Sequence, residues 1–499
     1  MSDPSAMNIP VHTALTSDML LGLKPSAPKS RSYRISVAPI NKSVFTALDQ
    51  IIIELPTGRK GTWFDQSQSY LKFSVQCSST TAITAAGGSG IYLDNSAYSF
   101  IQRLDVYNSS NLLESLNEYG QLANFLIDTS LTQSDKMGLS PLIGTNASSV
   151  NMYTGATGNI TQYATTVPVQ VPGDRSGMAL TSVTPGTGIS TATCATFCLP
   201  LLSGVVGVNS SKMLPVGKLF NPVRMEFYLS SNDDAIYYGN SGAGALWQIV
   251  NVEFCACYVE IQDDALDMPS QPDVTEYIST TTYRQASTYL PAATSGEFTT
   301  LLPFRAASIT ALYARFRPFG TATQGDSTLA AYRKSASVNP NLSFFYFRVG
   351  SSIFPNKPIY LVNGSLVGTG SEGYAELLKS FHALSSTVGN SAITQQQYNV
   401  SSDAQKGFKA PFVPGSKASG TQDTHNDAFA IGLELQSFSN RSDTILSGVS
   451  TLNSQIYFTG GIISGATTGG ASNYNYTIDF FSQMDMILCI TNGIMSAKF

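Results

Sequence analysis

Three histidines, His12, His382 and His425, are all the imidazole in this 499-residue chain. The stretch DTHND, Asp423 to Asp427, is its densest chemical spot. Acids flanking a histidine can hold a cation or serve a general base. Here no second histidine lies nearby and the surrounding run is polar, so a solvated loop is expected. His12 falls in a proline-containing N-terminal stretch, and His382 in a helical run. The six cysteines, Cys77, Cys194, Cys198, Cys255, Cys257 and Cys489, show neither C-x-x-C nor zinc-finger spacing, and H-E-x-x-H is absent. Cys255 and Cys257 are two apart, and Cys194 and Cys198 four apart, so each pair shares a strand face and reads as core. A glycosidase needs two carboxylates across a cleft. Glu114 with Glu118, or Asp263 with Asp264, could be named, but nothing in the sequence brings either pair into one cleft. PTGRKG, Pro56 to Gly61, lacks the first glycine and the final Ser/Thr of a phosphate-binding loop and reads as a turn. G-x-S-x-G is also missing. No catalytic, cofactor-binding or metal-ligating residue is therefore assigned, and the chain is not expected to be an enzyme.

The charge pattern narrows the partners. Only 12% of residues are charged, about half the usual quarter. Ser, Thr, Asn, Gln and 41 glycines fill much of the difference. Such a surface suits dense packing against copies of itself, because few ionic groups need desolvating. Net charge is −5. The cations nearest to a basic block are Arg59 with Lys60 and the sparse set Lys24, Lys29, Arg31 and Arg34, so sequence-specific nucleic-acid binding is not expected. The N-terminus has no basic segment leading into an apolar one, and no run nears the ~18 apolar residues of a membrane span. Synthesis in a reducing cytoplasm is expected, with the cysteines as free buried thiols.

These few chemical groups sit on a chain written in strands. SYLKFSVQC alternates, with Leu71, Phe73, Val75 and Cys77 on one face. SFIQRLDVYNSSNLLESL predicts a hairpin about Asn108 to Asn111. Leu116, Tyr119, Leu122, Ala123 and Leu126 then recur at helical spacing. Strands resume at TCATFCLPLLSG, NPVRMEFYLSS and LWQIVNVEFCACYVEIQ. The acidic, proline-bearing DDALDMPSQPDVT is the best boundary. After it the same order returns: strands, a helix in SEGYAELLKSFHAL with Tyr374, Leu377, Leu378 and Phe381 on one side, a polar excursion, and more strands. Expected are an N-terminal arm at 1–32, a first unit at 33–268 with a long surface loop at about 132–190, and a second at 269–499 with one at about 385–427. The fold class expected is all-β: two consecutive eight-stranded antiparallel jelly rolls, each with a short helix between its strand groups. Each helix would cap an end of its sandwich.

From about residue 33 the chain resembles the double jelly-roll major capsid proteins of double-stranded DNA viruses, in the lineage of Polinton-like viruses, virophages and adintoviruses. The resemblance lies in QSQSYLKFSVQ leading to LDNSAYSFIQRLDVYNSSNLLESLNEYGQLANFLID, in NPNLSFFYFRVGSSIFPNKPI before YAELLKSFHAL, in SGVSTLNSQIYF, and in DFFSQMDMILCITNGIMSAKF. It implies a virion protein forming pseudohexameric homotrimers that tile an icosahedral shell, with penton and minor capsid proteins as further partners. The arm and the terminal IMSAKF would then tether neighbours or the inner surface. It leaves an internal membrane open. A non-assembling β-sandwich binding protein, lectin or adhesin, is the alternative. The two tryptophans, Trp63 and Trp247, adjoin strand-like runs and are expected to be buried.

Overall fold

The computed structural model describes residues 29–79, 91–145, 152–154, 160–162, 176–180, 194–210, 212–238, 245–261, 275–291, 294, 296–319, 334, 337, 339–340, 342–361, 371–382, 398, 429–437, 446–462 and 475–499. The first half supplies strands β1 (Ser30–Val37), β2 (Gln50–Leu55), β3 (Thr62–Ser79), β4 (Ile101–Asn108), β5 (Asn111–Asn117), β6 (Ala195–Pro200), β7 (Val223–Leu229) and β8 (Ala245–Ile261). The second supplies β9 (Glu276–Leu290), β10 (Gly296–Leu302), β11 (Ile309–Phe319), β12 (Leu342–Val349), β13 (Ser352–Tyr360), β14 (Ile431–Glu434), β15 (Ile456–Ile462), β16 (Asn475–Thr491) and β17 (Ile494–Lys498). Helices α1 (Tyr119–Ser130) and α2 (Gln133–Ile143) follow β5, and α3 (Ser371–Ser380) follows β13.

The sheet order occurs twice. In the first half, β1-β8-β3-β6 faces β2-β7-β4-β5; in the second, β9-β16-β11-β14 faces β10-β15-β12-β13. Each of these eight strands of the first sandwich has its counterpart at the same position in the second; Val44–Thr46, which pairs with β8, and a three-stranded sheet of Ile91–Asp94, Ser176–Leu180 and Ile236–Tyr238 are additions of the first half. Each half is thus a jelly roll of eight principal antiparallel strands, and the repeated order of elements in the sequence is a repeated topology. β17 is an addition that pairs with the end of β16.

Alternation builds the cores. On β3, Leu71, Phe73, Val75 and Cys77 are at most 1% exposed, while Lys72 between them points outward. On β2, Ile51, Ile53 and Leu55 turn inward and Ile52 does not. Each such side chain contributes about 1.5–3 kcal/mol by leaving water. The β4–β5 hairpin turns where the Asn/Ser run predicts, with Ser109 at φ 57°.

Four expectations change. Leu116 belongs to β5, and α1 starts at Tyr119, because Glu118 adopts φ 49° and turns the chain sharply from strand to helix. The helix also does not cap a sandwich end with one stripe. Tyr119, Ala123 and Asn124 are fully buried, and so are Gln121, Phe125 and Asp128, because α1 is wedged between the two sandwiches. Finally, Cys255 and Cys257 share a face, but it is the one opposite Phe254, Ala256 and Tyr258; Cys255 is covered there by β1, its Sγ 3.8 Å from Ser36 Oγ. The stretch expected to be a loop from 132 opens with helix α2, where Thr132 and Asp135 form a reciprocal capping box and Gly144 closes the end at φ 71°. The excursion 385–427 lies outside the described residues apart from Tyr398, which is buried.

Candidate functional site: the seam between the two sandwiches

Among the described residues, no group of three or more His, Cys, Asp or Glu side chains could hold a metal ion. His12, His425, Lys24, Asp263 and Asp264 lie outside the described residues. His382 is at the surface after α3, with Nδ1 3.6 Å from the Glu434 carboxylate. Pro56 to Gly61 is a turn between β2 and β3, with Gly58 at φ 76° and Gly61 at φ 84°. Trp247 is buried against Phe100 and Trp63 is half-buried, so neither offers an open platform for a sugar ring. Asn108, which heads a glycosylation-like Asn-Ser-Ser triplet, is fully buried. Glu114 and Glu118 face different partners, and the carboxylate pair a glycosidase would need is not formed. All six cysteines are free thiols.

The chain concentrates its buried polar chemistry where the sandwiches meet. At the centre, Phe125 of α1 stacks on Phe481 of β16 (5.7 Å between centroids) and meets Tyr313 of β11 edge-on at 5.5 Å. Phe381, just after α3, stacks on Tyr313 at 4.9 Å. The two helices therefore share one aromatic cluster across the seam. Such contacts add about 0.5–1.5 kcal/mol per pair beyond area burial.

Beside it lies an ionic network. Arg315 of β11 is 1% exposed. Its Nη2 donates to Asp479 Oδ2 (3.2 Å), to Gln121 Oε1 of α1 (2.6 Å) and to the Lys334 carbonyl (3.1 Å). Arg317 Nε adds 3.3 Å to the same Asp479 oxygen. Lys334 Nζ bridges back to the first half, 3.0 Å from Glu118 and 3.1 Å from Asp234. Burial pushes the Asp479 carboxyl up, but the Arg317 and Arg315 guanidiniums outweigh it and hold it below the usual carboxylate range.

Glu114 of β5 marks a second tie. Its carboxylate accepts from the Ser203 hydroxyl, from the Gly204 N–H at 3.1 Å and from Thr282 Oγ1 at 2.6 Å, the last across the seam on β9. Burial pushes its pKa up, and these donors oppose the shift without cancelling it. Gly204 permits the approach, since a Cβ there would sit 2.6 Å from the Thr281 carbonyl. A cleft of about 290 Å³ opens alongside, lined by Leu112, Ser115, Arg284 and Phe499.

At one end, β17 of the second sandwich lies along the β4–β5 hairpin of the first. Asn108 Oδ1 accepts from the Met495 N–H (3.0 Å), Asn111 Nδ2 donates to the Met495 carbonyl (3.3 Å), and the Phe220 N–H donates to the Gly493 carbonyl (3.0 Å). IMSAKF is thus a strand docked within its own chain, not a free tether. Domain pairs move relative to one another unless their interface is large and apolar. Here an aromatic cluster, a buried ionic network and a docked strand make the two sandwiches one block. The chemistry of the seam, among the described residues, is cohesion.

The same pair of blocks occurs in known proteins. The chain aligns over 97% of its length with 92% of a chain in the Sputnik virophage structure, at TM-score 0.54 and 12% identity. It covers 92% or more of two further structures as well. The PBCV-1 capsid model matches at TM-score 0.55 and 10% identity, over 96% of this chain and 99% of that one. The mavirus major capsid protein matches at 0.51 and 11%, over 100% and 95%. The chain has the double jelly-roll fold. At such identities the likeness is one of architecture, and no protein-family model or curated protein matches the sequence. Among the described residues, no helix of this double jelly roll is long and apolar enough to cross a membrane.

Proposed function

We propose that the chain is a major capsid protein, a non-enzymatic subunit that forms homotrimers and tiles an icosahedral shell around a double-stranded DNA genome. The observation that carries this reading is one topology built twice and locked side by side. Two like blocks per chain make six per trimer, so a threefold assembly acquires a nearly hexagonal outline that fills a surface. The units are 33–268 and 269–499. The long connections after α1 and α3 leave from the end opposite the β4–β5 and β12–β13 hairpins, and they form the outer surface. Of the arm at 1–32, residues 30–32 already form the start of β1; the part before them orders on assembly and pays its entropy only then. Penton and minor capsid proteins are the further partners, the virion is the location, and the lineage is that of Polinton-like viruses, virophages and adintoviruses.

Closed particles in negative-stain images of the expressed protein would support the proposal. A protein that stays unassembled across salt and pH, in the presence of its virus's other structural proteins, would overturn it. Deleting residues 1–30 tests the arm separately, since unaltered shell assembly removes its role.

A further inference from the structure

The chain carries six free thiols, and strand order decides which of them can meet. A disulfide needs Cα atoms about 4.4–6.8 Å apart and Cβ atoms about 3.8 Å apart. Cys198 on β6 and Cys255 on β8 flank β3 from opposite sides, two strand spacings or about 10 Å from each other. Cys257 follows Cys255 along β8, where side chains on one face stand about 6.6 Å apart. Cys489 is on β16 of the second sandwich. That leaves Cys77 and Cys194.

Cys77 is on β3, and Cys194 stands just before β6, the neighbour of β3 in the sheet. Ala195 opposes Val75, so the two cysteines are one residue out of step, and their Cα atoms lie about 6 Å apart. The Cys194 N–H donates to the Val75 carbonyl at 2.8 Å and ties the residue against β3. Lying outside the paired strand, Cys194 escapes its alternation. Cys198 stays on the outer side opposite Lys72, whereas the Cys194 sulfur accepts from the S–H and the N–H of Cys77. Cys77 is fully buried, with Trp247 of β8 as a register partner, and Cys194 is half-buried. The Cys77 donors hold the Cys194 thiol below its ordinary value although burial opposes them. One thiol is sealed in the core, and the other, the more acidic, is reached from solvent.

We propose that Cys77 and Cys194 are a redox-responsive cross-link: two thiols in a reducing compartment, a disulfide where a small disulfide such as oxidised glutathione is present. The Cys194 thiolate attacks one glutathione sulfur, breaks the glutathione S–S bond and releases one glutathione thiolate, which takes a proton. The Cys77 thiol then loses its proton, and its sulfur attacks the Cys194 sulfur and displaces the second glutathione. The protein loses two hydrogen atoms, and one oxidised glutathione becomes two reduced ones. The new bond closes a loop of more than 100 residues and so removes chain entropy from the unfolded state. The inference concerns one folded chain, so it stands or falls independently of the capsid reading.

The test is incubation of the full chain with reduced or oxidised glutathione, then acid quenching, alkylation with N-ethylmaleimide in denaturant, intact mass and peptide mapping. Expected after oxidation is a chain carrying two fewer N-ethylmaleimide groups, with the peptides of Cys77 and Cys194 joined. Its melting temperature should rise by about 5–10 °C, and reductant should reverse the gain. Cys194→Ser should lose both the cross-link and the gain, and Cys198→Ser should keep both. An unchanged circular dichroism spectrum identifies folded variants, and the peptide map of the parent chain decides by itself where a variant does not fold. Alkylation of both Cys77 and Cys194 after oxidation, a glutathione adduct that stays on Cys194, a bridge between other cysteines in place of this one, or a thermal gain that survives in Cys194→Ser would overturn the proposal.

Discussion

Replacing Asp479 by asparagine removes one negative charge from the middle of the seam and keeps the side chain's shape. Arg315, 1% exposed, and Arg317 both donate to the lost carboxylate. Leaving a buried charge without its counter-ion costs about 3–5 kcal/mol. Gln121 and the Lys334 carbonyl still accept from Arg315, so the lower part of that range is expected, about 3 kcal/mol. Against the roughly 5–15 kcal/mol that holds a domain folded, this is a large fraction. Urea unfolding at pH 7, followed by far-ultraviolet circular dichroism, should show the midpoint fall at unchanged slope. Adding Arg315→Met to the variant should recover part of the loss, because the fully buried cation is gone. The pH dependence has a definite sign. Asp479 is held below its unfolded value, so its contribution is present above about pH 3.9 and is lost as pH falls through the lower folded value. The variant lacks that acid limb. A variant within about 0.5 kcal/mol of the parent would refute the reasoning.

Phe125→Ala should cost about 3–5 kcal/mol and let the two sandwiches unfold separately, seen as two calorimetric transitions in place of one. For Glu114, whose pKa is raised in the folded chain, stability should decline as pH rises from about 4.3 toward the folded value; Glu114→Gln should abolish that slope in melts taken between pH 4 and 8. Gly120→Ala would place a Cβ 2.5 Å from the Tyr98 carbonyl, and a stability loss of about 1–3 kcal/mol is expected in denaturant titration. Asn108→Ala should release β17 from the β4–β5 hairpin, read as faster amide exchange at Met495 than at Ile490.

Local pattern made the strands legible. The alternation of Leu71, Phe73, Val75 and Cys77 needs only a pleat and a core, and the Asn/Ser turn at 108–111 needs only backbone preference. The helix start was not legible, because no propensity marks Glu118 for a left-handed corner. Helix α2 did leave a signal, Thr132 with Asp135 and then Gly144, hidden in a run whose composition reads as loop. Cysteine spacing showed that Cys255 and Cys257 share a face but not which one, since that depends on the cover from β1. The seam itself was out of reach: Arg315 and Asp479 are register partners far apart in sequence, and Gln121 comes from the other half.

The most direct test of the central claim is the mass of the purified protein in solution, with class averages from negative stain of the same sample. A species of about 160 kDa is expected, three copies of the 53.2 kDa chain, with a hexagonal outline made of six similar blocks. A stable 53.2 kDa monomer at every concentration, salt and pH tried would contradict it.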